Sequence, residues 1–74
     1  MDSVKHYGTH YYNYLYLKFL IGHEATSPSE KIQARKEVPI ASKKCDTWYM
    51  VARQQNRLDE LRKQEALLKS QWGT

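Results

Sequence analysis

The apolar positions of the chain fall into three segments with different spacing. The first, residues 1–24, is rich in aromatic side chains and contains the run YYNYLYLKF. We predict a helix between Thr9, whose hydroxyl can cap free N–H groups, and Gly22, which tolerates a left-handed exit. This segment is expected to dock onto a partner. At helical spacing one face collects Tyr12, Leu15, Tyr16, Phe19 and Leu20, widened by Tyr11 and Tyr14.

The same run also has a composition typical of a β-strand. Tyrosines are enriched in strands, and YNYLYLKF alternates in the way that a half-buried strand does. Nothing further along the chain has the pattern of a second strand with which it would pair. We therefore favour the helix, and the strand alternative is limited to pairing with the sheet edge of a partner.

The second segment, residues 25–45, opens with the capping sequence SPSE. Ser27 is predicted as the N-cap and Glu30 as the third helical residue, with proline in its favoured first position between them. A short helix should follow and end near Glu37, because Pro39 disfavours helical geometry at the residue before it. The stretch VPIASKK is then expected to be an extended connector.

The third segment, residues 46–74, is predicted as one long amphipathic helix from an N-cap at Asp46 to about Trp72. No glycine or proline interrupts it before Gly73. Its apolar residues form a narrow stripe, which favours a groove or a coiled-coil partner over the interior of a globule. The stripe consists of Trp48, Val51, Leu58, Leu61, Leu68 and Trp72.

The fold class that follows is all-α, with two or three helices joined by extended linkers. A chain of 74 residues forms at most one small domain, and such a domain buries only about 60% of its unfolded surface. Small chains are usually stabilised by disulfides, a metal or a partner, and the single cysteine, Cys45, excludes an internal disulfide. With 27% charged and 12% aromatic residues, we expect a non-globular chain that is ordered by docking onto a larger assembly.

The net charge of +4 is consistent with an acidic partner, whether RNA, phospholipid head-groups or an acidic protein surface. Nucleic-acid-binding proteins usually concentrate their cations in one patch, whereas here the cations are mixed with acids. Platforms that stack single-stranded bases interleave aromatics with cations, and Lys18 is the only cation inside the tyrosine run. Nucleic acid is therefore the weaker alternative.

The sequence predicts no membrane span. The apolar run YYNYLYLKFLI has about half of the roughly 20 residues that a spanning helix needs, and Asn13 and Lys18 interrupt it. Asp2 stands where a secretory signal is basic. We expect a cytoplasmic location, and the mitochondrion stays open as an alternative because an internal targeting signal would escape this pattern.

Candidate chemical groups are limited to His6, His10, His23 and Cys45. The first two histidines are four residues apart, as two metal ligands on one helical turn would be, but the glycine and threonine between them disfavour a helix there. No second ligand pair with zinc-site spacing is present. No glycine-rich turn or family signature marks Cys45 as a nucleophile. We predict no catalytic residue, no metal site and no cofactor.

Within the third segment, the stretch ARQQNRLDELRKQE places an arginine pair before Leu-x-x-Leu and a following glutamate. In this pattern it resembles the C-terminal helix of small cilia- and flagella-associated microtubule inner proteins. The matching residues are Arg53, Arg57, Leu58, Leu61 and Glu65. The resemblance implies a structural protein without a ligand pocket, held between tubulin and neighbouring inner proteins on the luminal wall of the axonemal doublet microtubule. It is confined to this stretch.

We therefore expect a non-enzymatic structural or accessory subunit of a large assembly, with the axonemal doublet microtubule in a cilium or flagellum as the candidate. One alternative is a small basic RNA-associated subunit of a ribosome-like particle. The other is an accessory subunit of a membrane complex, with its tyrosines at head-group depth. The residues predicted to contact the partner are Tyr12, Tyr16, Phe19, Trp48, Val51, Leu58, Leu61, Leu68 and Trp72, together with Arg53 and Arg57.

Overall fold

Three α-helices make up the computed structural model, which describes residues 2–72 apart from the side chain of Trp72. They are α1 (Ser3–Gly22), α2 (Pro28–Gln54) and α3 (Leu58–Trp72). No strand occurs within the described residues. The predicted all-α class is confirmed. The aromatic run is helical, so the strand alternative is wrong.

The helix α1 begins earlier than predicted. Asp2 is its N-cap and accepts a hydrogen bond from the backbone N–H of Lys5 at 3.1 Å. Thr9, the predicted cap, lies inside the helix and donates its hydroxyl to the Lys5 carbonyl. Gly8 is helical as well, and a Cβ there would lie 3.0 Å from the side-chain nitrogen of Gln64 on α3. The predicted start is wrong because a neighbouring helix approaches the chain at this glycine, which the local sequence does not reveal.

The helix ends at Gly22, but without a left-handed turn. None of the described glycines has a positive φ. His23 caps the helix in an extended conformation, and its backbone N–H bonds to the carbonyl of Leu20. The predicted end of the helix is therefore confirmed in position, and the left-handed exit is wrong.

Substitution of Gly22 by alanine tests this geometry. A Cβ at this position meets nothing within 4 Å, and the backbone angles suit any residue. We expect Gly22→Ala to raise the free energy of unfolding by about 0.5–1 kcal/mol, because alanine has less conformational freedom to lose on folding. Thermal unfolding followed by circular dichroism measures it. If Gly22→Ala instead lowered the free energy of unfolding by a similar amount, Gly22 would have a left-handed conformation.

The predicted start of α2 is confirmed. Ser27 is the N-cap, and its hydroxyl oxygen accepts a hydrogen bond from the backbone N–H of Glu30 at 3.3 Å. The proline that follows it is in the first helical turn. The helix does not end near Glu37 but passes through Pro39 and continues. The expected extended connector over 38–44 is therefore wrong.

Packing against α1 explains why α2 continues through its internal proline. Val38, Ala41 and Cys45 recur at helical spacing and belong to the clusters that join α2 to α1. Pro39 itself is exposed, so the carbonyl that it leaves without a helical donor can bond to water. An internal proline costs a helix about 3 kcal/mol or more, and the continuous buried surface on the other side of α2 outweighs that cost.

The predicted helix from Asp46 onward is interrupted at residues 55–57, and Asp46 lies inside α2. Asn56 is left-handed, with φ of 56°. The N–H of Arg57 bonds to the carbonyl of Ala52 at 2.9 Å, and the N–H of Asn56 bonds to the carbonyl of Arg53 at 3.1 Å. These two bonds form a Schellman motif, in which asparagine is the commonest substitute for glycine. The prediction of one unbroken helix is wrong because the left-handed Asn56 ends α2 where no glycine or proline is present.

The core lies where α1 meets the other two helices, since α2 and α3 have few contacts with each other. Tyrosines of α1 pack over small residues of α2, and leucines of α3 close the remaining side. The buried apolar residues are Tyr7, Tyr11 and Leu17 on α1, Ala34, Ala41, Cys45 and Ala52 on α2, and Leu61 and Leu68 on α3.

The molecule is elongated. Its radius of gyration is 13.3 Å, compared with about 11 Å for a compact domain of this length. Its longest dimension is 41 Å, which is close to the roughly 40 Å expected for the 27 residues of α2 alone.

Candidate protein interface

Three aromatic residues line one outer face of α1, and we call them the aromatic stripe: Tyr12, Tyr16 and Phe19. Their spacing of four and three residues places them on one side of the helix over about 10 Å. They are 45%, 42% and 44% exposed. Leu17 and Ile21, which belong to the cluster that joins α1 to α2, lie on the other side of the helix. The stripe therefore faces away from α2.

The chemistry of the stripe is that of a protein-binding surface. Tyrosine and phenylalanine bury large apolar areas with little loss of side-chain freedom, and they are enriched at the centres of interfaces. Phe19 also packs against the ring of His23, with centroids 4.9 Å apart. The structure brings these three predicted interface residues together at the surface.

An open groove of about 810 Å³ runs beside the stripe, between α1 and α3. Tyr12 and Leu67 line it together with polar and charged residues, among them Lys5 and Lys63. Leu67 is 56% exposed and extends the apolar surface from α1 onto α3. Leu67 is not among the residues that the sequence predicts to contact a partner, because Leu67 and Leu68 are adjacent and only the packing decides which of them faces outward.

The other apolar residues predicted to contact a partner pack mainly within the chain. Leu61 and Leu68 are buried in the core, so the prediction that they face a partner is wrong. Trp48 and Leu58 are half-buried, and the ring of Trp48 stacks on His6 at 4.4 Å. Two further apolar residues of the third segment are also predicted to contact a partner. Val51 is half-buried, and the side chain of Trp72 lies outside the described residues.

The two predicted interface arginines differ in their surroundings. Arg53 is exposed on α2. Arg57 is paired inside the chain, since its Nη1 lies 3.0 Å from Asp2 and its Nε lies 2.6 Å from Glu60. The hydrogen bond to Glu60, followed by the charge of Asp2, raises the pKa of Arg57. The buried Ser3 adds a partly buried hydrogen bond from α1 to the same turn between α2 and α3, in which its hydroxyl donates to the side-chain oxygen of Gln55 at 2.7 Å. Arg57 therefore has a structural role in joining this turn to α1.

A cluster of ionisable groups lies in the core between the helices. Tyr7 donates its hydroxyl to a carboxylate oxygen of Glu65 at 3.3 Å. Burial, followed by the charge of Glu65, raises the pKa of Tyr7. Burial, with the charges of Asp46 and Glu65, raises the pKa of Cys45 to about 11. Cys45 is therefore a protonated thiol at neutral pH, whereas a nucleophilic cysteine is a thiolate.

This cluster predicts a loss of stability in alkali. The pKa of Tyr7, Tyr11 and Cys45 is raised in the folded state, so the unfolded chain releases its protons first. The contribution of these three groups to the free energy of unfolding is complete below the ordinary pKa of 9.0 for cysteine. It is lost as the pH rises towards 11 and beyond. Urea denaturation between pH 7 and 11 should show a falling free energy of unfolding. Tyr7→Phe should reduce that fall, whereas Leu67→Ala at the surface of α3 should leave it unchanged; equal slopes for Tyr7→Phe and the wild type would contradict the prediction.

Two of the histidines, His6 and His23, make defined contacts within the chain. His6 stacks on Trp48, and the Nδ1 atom of His23 accepts a hydrogen bond from the backbone N–H of Ala25 at 3.1 Å. Desolvation, followed by the charges of Lys44 and His6, lowers the pKa of His10. Within residues 2–72 no group of three or more histidine, cysteine, aspartate or glutamate residues is arranged to hold a metal ion.

Comparison of the sequence with protein-family models, with curated proteins and with solved structures finds no match. In the described part of the chain, no helix has a stretch that is both long and apolar enough to cross a bilayer.

Proposed function

We propose that this chain is a non-enzymatic structural or accessory subunit that docks onto a larger assembly through the aromatic stripe. The observation that supports this most strongly is the exposure of three large aromatic side chains on one helical face. Residues of this kind dominate the binding energy of interfaces when a partner buries them. Leu67 would lie at the edge of the same contact.

The total surface of the chain also supports docking. Its accessible surface is 5396 Å², compared with about 4800 Å² for a typical folded monomer of 8.8 kDa. The excess of about 600 Å² approaches the roughly 800 Å² that one partner contributes to a standard interface. The elongated arrangement therefore exposes additional surface of the size that one docking contact would bury.

An RNA-associated subunit is less well supported by the geometry. Base-stacking platforms combine aromatic rings with cations in one groove. Lys18, the cation within the aromatic run, lies over the ring of Tyr14 at 5.5 Å from its centroid, and Tyr14 is not part of the stripe. The remaining alternative, an accessory subunit of a membrane complex, would place the stripe against lipid head-groups.

The axonemal doublet microtubule is the assembly that the resemblance of residues 52–65 names, and we propose it as the first candidate to test. These residues span the end of α2 and the start of α3 instead of one helix. Arg57, Leu61 and Glu65 make contacts inside the chain. The docking proposal therefore depends on the aromatic stripe and not on the residues of the resemblance.

The test is co-purification of the tagged chain from cells of its own source, with quantitative mass spectrometry of the bound proteins. The variant Tyr12→Ala, Tyr16→Ala, Phe19→Ala should lose the bound set about 100-fold, because each interface anchor contributes more than about 1 kcal/mol. Asn13→Ala, an exposed change on α1 outside the aromatic stripe, is the matched control and should keep it. Circular dichroism establishes that both variants are folded.

Three results would overturn parts of the proposal. Unchanged co-purification by the folded triple variant would exclude the stripe as the docking surface. For the axonemal form, the wild-type chain must remain with axonemes after detergent extraction, and its complete release would exclude that assembly. Binding that disappears with moderate salt would favour RNA, because phosphate contacts weaken steeply with ionic strength.

A further inference from the structure

The outward face of α2 forms a second exposed surface with different chemistry. Ile32, Ile40 and Met50 are about half exposed there, although they are large and apolar. Lys36 and Lys43 lie between them along the helix and are also exposed. At 100° per residue these five positions fall within about 80° of one another. We call them the basic face.

Most of the excess positive charge of the chain belongs to α2. Its six cations outnumber its three acids, which accounts for three of the four net charges, whereas α3 has equal numbers of both signs. A helix with one dominant sign of charge attracts partners of the opposite sign. The cations of α2 are Lys31, Arg35, Lys36, Lys43, Lys44 and Arg53, and its acids are Glu30, Glu37 and Asp46.

The basic face and the aromatic stripe lie on opposite sides of the α1–α2 pair. The residues of α2 that contact α1, such as Ala34, Ala41 and Cys45, occupy the side of the helix opposite the basic face. The aromatic stripe in turn faces away from α2. One partner on the stripe would therefore leave the basic face open to a second contact.

We propose that the basic face docks onto an acidic protein surface, so that the chain bridges two contacts. This inference rests on the docking function proposed above. Carboxylates of the partner would pair with Lys36 and Lys43, while Ile40 enters an apolar recess between these carboxylates. Met50 would enter a second recess beyond Lys43. Methionine is well adapted to such recesses because its side chain is long and flexible.

An acidic protein explains this mixture of residues better than lipid or nucleic acid does. A helix that lies in a bilayer needs a continuous apolar side, whereas here lysines stand between isolated apolar residues on the same line. A nucleic acid would pair with the cations but would gain little from covering isoleucine, since stacking requires aromatic rings. A protein surface can satisfy both kinds of side chain at once.

The probe for this proposal is a synthetic amphipathic helical peptide of glutamate and leucine, titrated against the full chain by fluorescence anisotropy. Lys36→Glu with Lys43→Glu should weaken its binding at least tenfold, and Ile40→Ser should weaken it about fivefold. Arg62→Glu with Lys63→Glu, which makes the same change in net charge on α3, should alter it less than twofold. Circular dichroism of each variant excludes unfolding as the cause.

Several results would overturn the inference. If the charge reversals on α2 and on α3 weakened peptide binding equally, the attraction would be due to net charge alone. If the wild-type chain did not bind the peptide, an acidic protein partner would be excluded. Tighter binding to phosphatidylserine vesicles or to single-stranded polyuridine would assign the face to lipid or to nucleic acid. The triple variant of the aromatic stripe should bind the peptide normally, so failure of this inference remains distinct from failure of the docking function.

Discussion

Leu61→Ala is expected to lower the free energy of unfolding by about 2–5 kcal/mol, the range for removing a large buried aliphatic side chain. Leu61 is fully buried against Tyr7, Tyr11 and Ala52, where the three helices meet. The free energy of unfolding of a folded domain is only about 5–15 kcal/mol in total, so this change should remove much of the stability of the chain. Urea denaturation followed by circular dichroism measures it.

Leu67→Ala is the matched control, because it makes the same change on the same helix at an exposed position. It should change stability by no more than about 0.5 kcal/mol. Equal effects of the two substitutions would mean that α3 does not pack on α1 in the free chain. The result also matters for interface studies, since loss of a partner in Leu61→Ala would reflect unfolding and would not locate the contact.

Pro39→Ala is expected to raise the free energy of unfolding by about 1–3 kcal/mol. Alanine restores the missing backbone N–H and removes the clash of the proline ring inside α2, a penalty of about 3 kcal/mol. Part of the gain is offset because proline also restricts the unfolded chain, by about 0.4–1 kcal/mol. Pro39 is exposed, so the substitution leaves no cavity. Thermal and urea unfolding both report the change.

Pro28→Ala provides the comparison for this substitution. Pro28 begins α2, where a proline is favoured because its N–H would have no helical partner. Its replacement should give no gain in stability. If Pro39→Ala destabilised the chain while Pro28→Ala did not, the helix would not be continuous through position 39, and the boundary expected from the sequence near Glu37 would be correct.

The local sequence predicts those features of the fold that depend on neighbouring residues. The cap at Ser27 follows from the order of residues in SPSE, and the helix over the aromatic run follows from its period. The continuation of α2 through Pro39 depends instead on packing against α1, which lies elsewhere in the sequence. The break at Asn56 does have a local signal in the sequence. Asparagine tolerates the left-handed conformation that ends a helix, and acidic residues, which favour a helix start, follow it in the first turn of α3.

The candidate interface could be predicted only in part for a related reason. A three-to-four residue period identifies the apolar face of a helix but not what covers that face. The same period predicts a partner contact for Tyr12, Tyr16 and Leu61, and only the two tyrosines lie at the surface. Leu61 is covered by α1 and α2 of its own chain. Distinguishing these cases required the three-dimensional arrangement of the helices.

The most direct measurement of the central claim is site-specific photocrosslinking in cells of the source organism, with a photoreactive phenylalanine analogue in place of Tyr16. Tyr14, which is half-buried and packs against the core, is the matched control position on the same helix. Docking through the aromatic stripe predicts a strong crosslink to a partner protein from position 16 and little or none from position 14. No crosslink from position 16, or equal crosslinking from both positions, would contradict it.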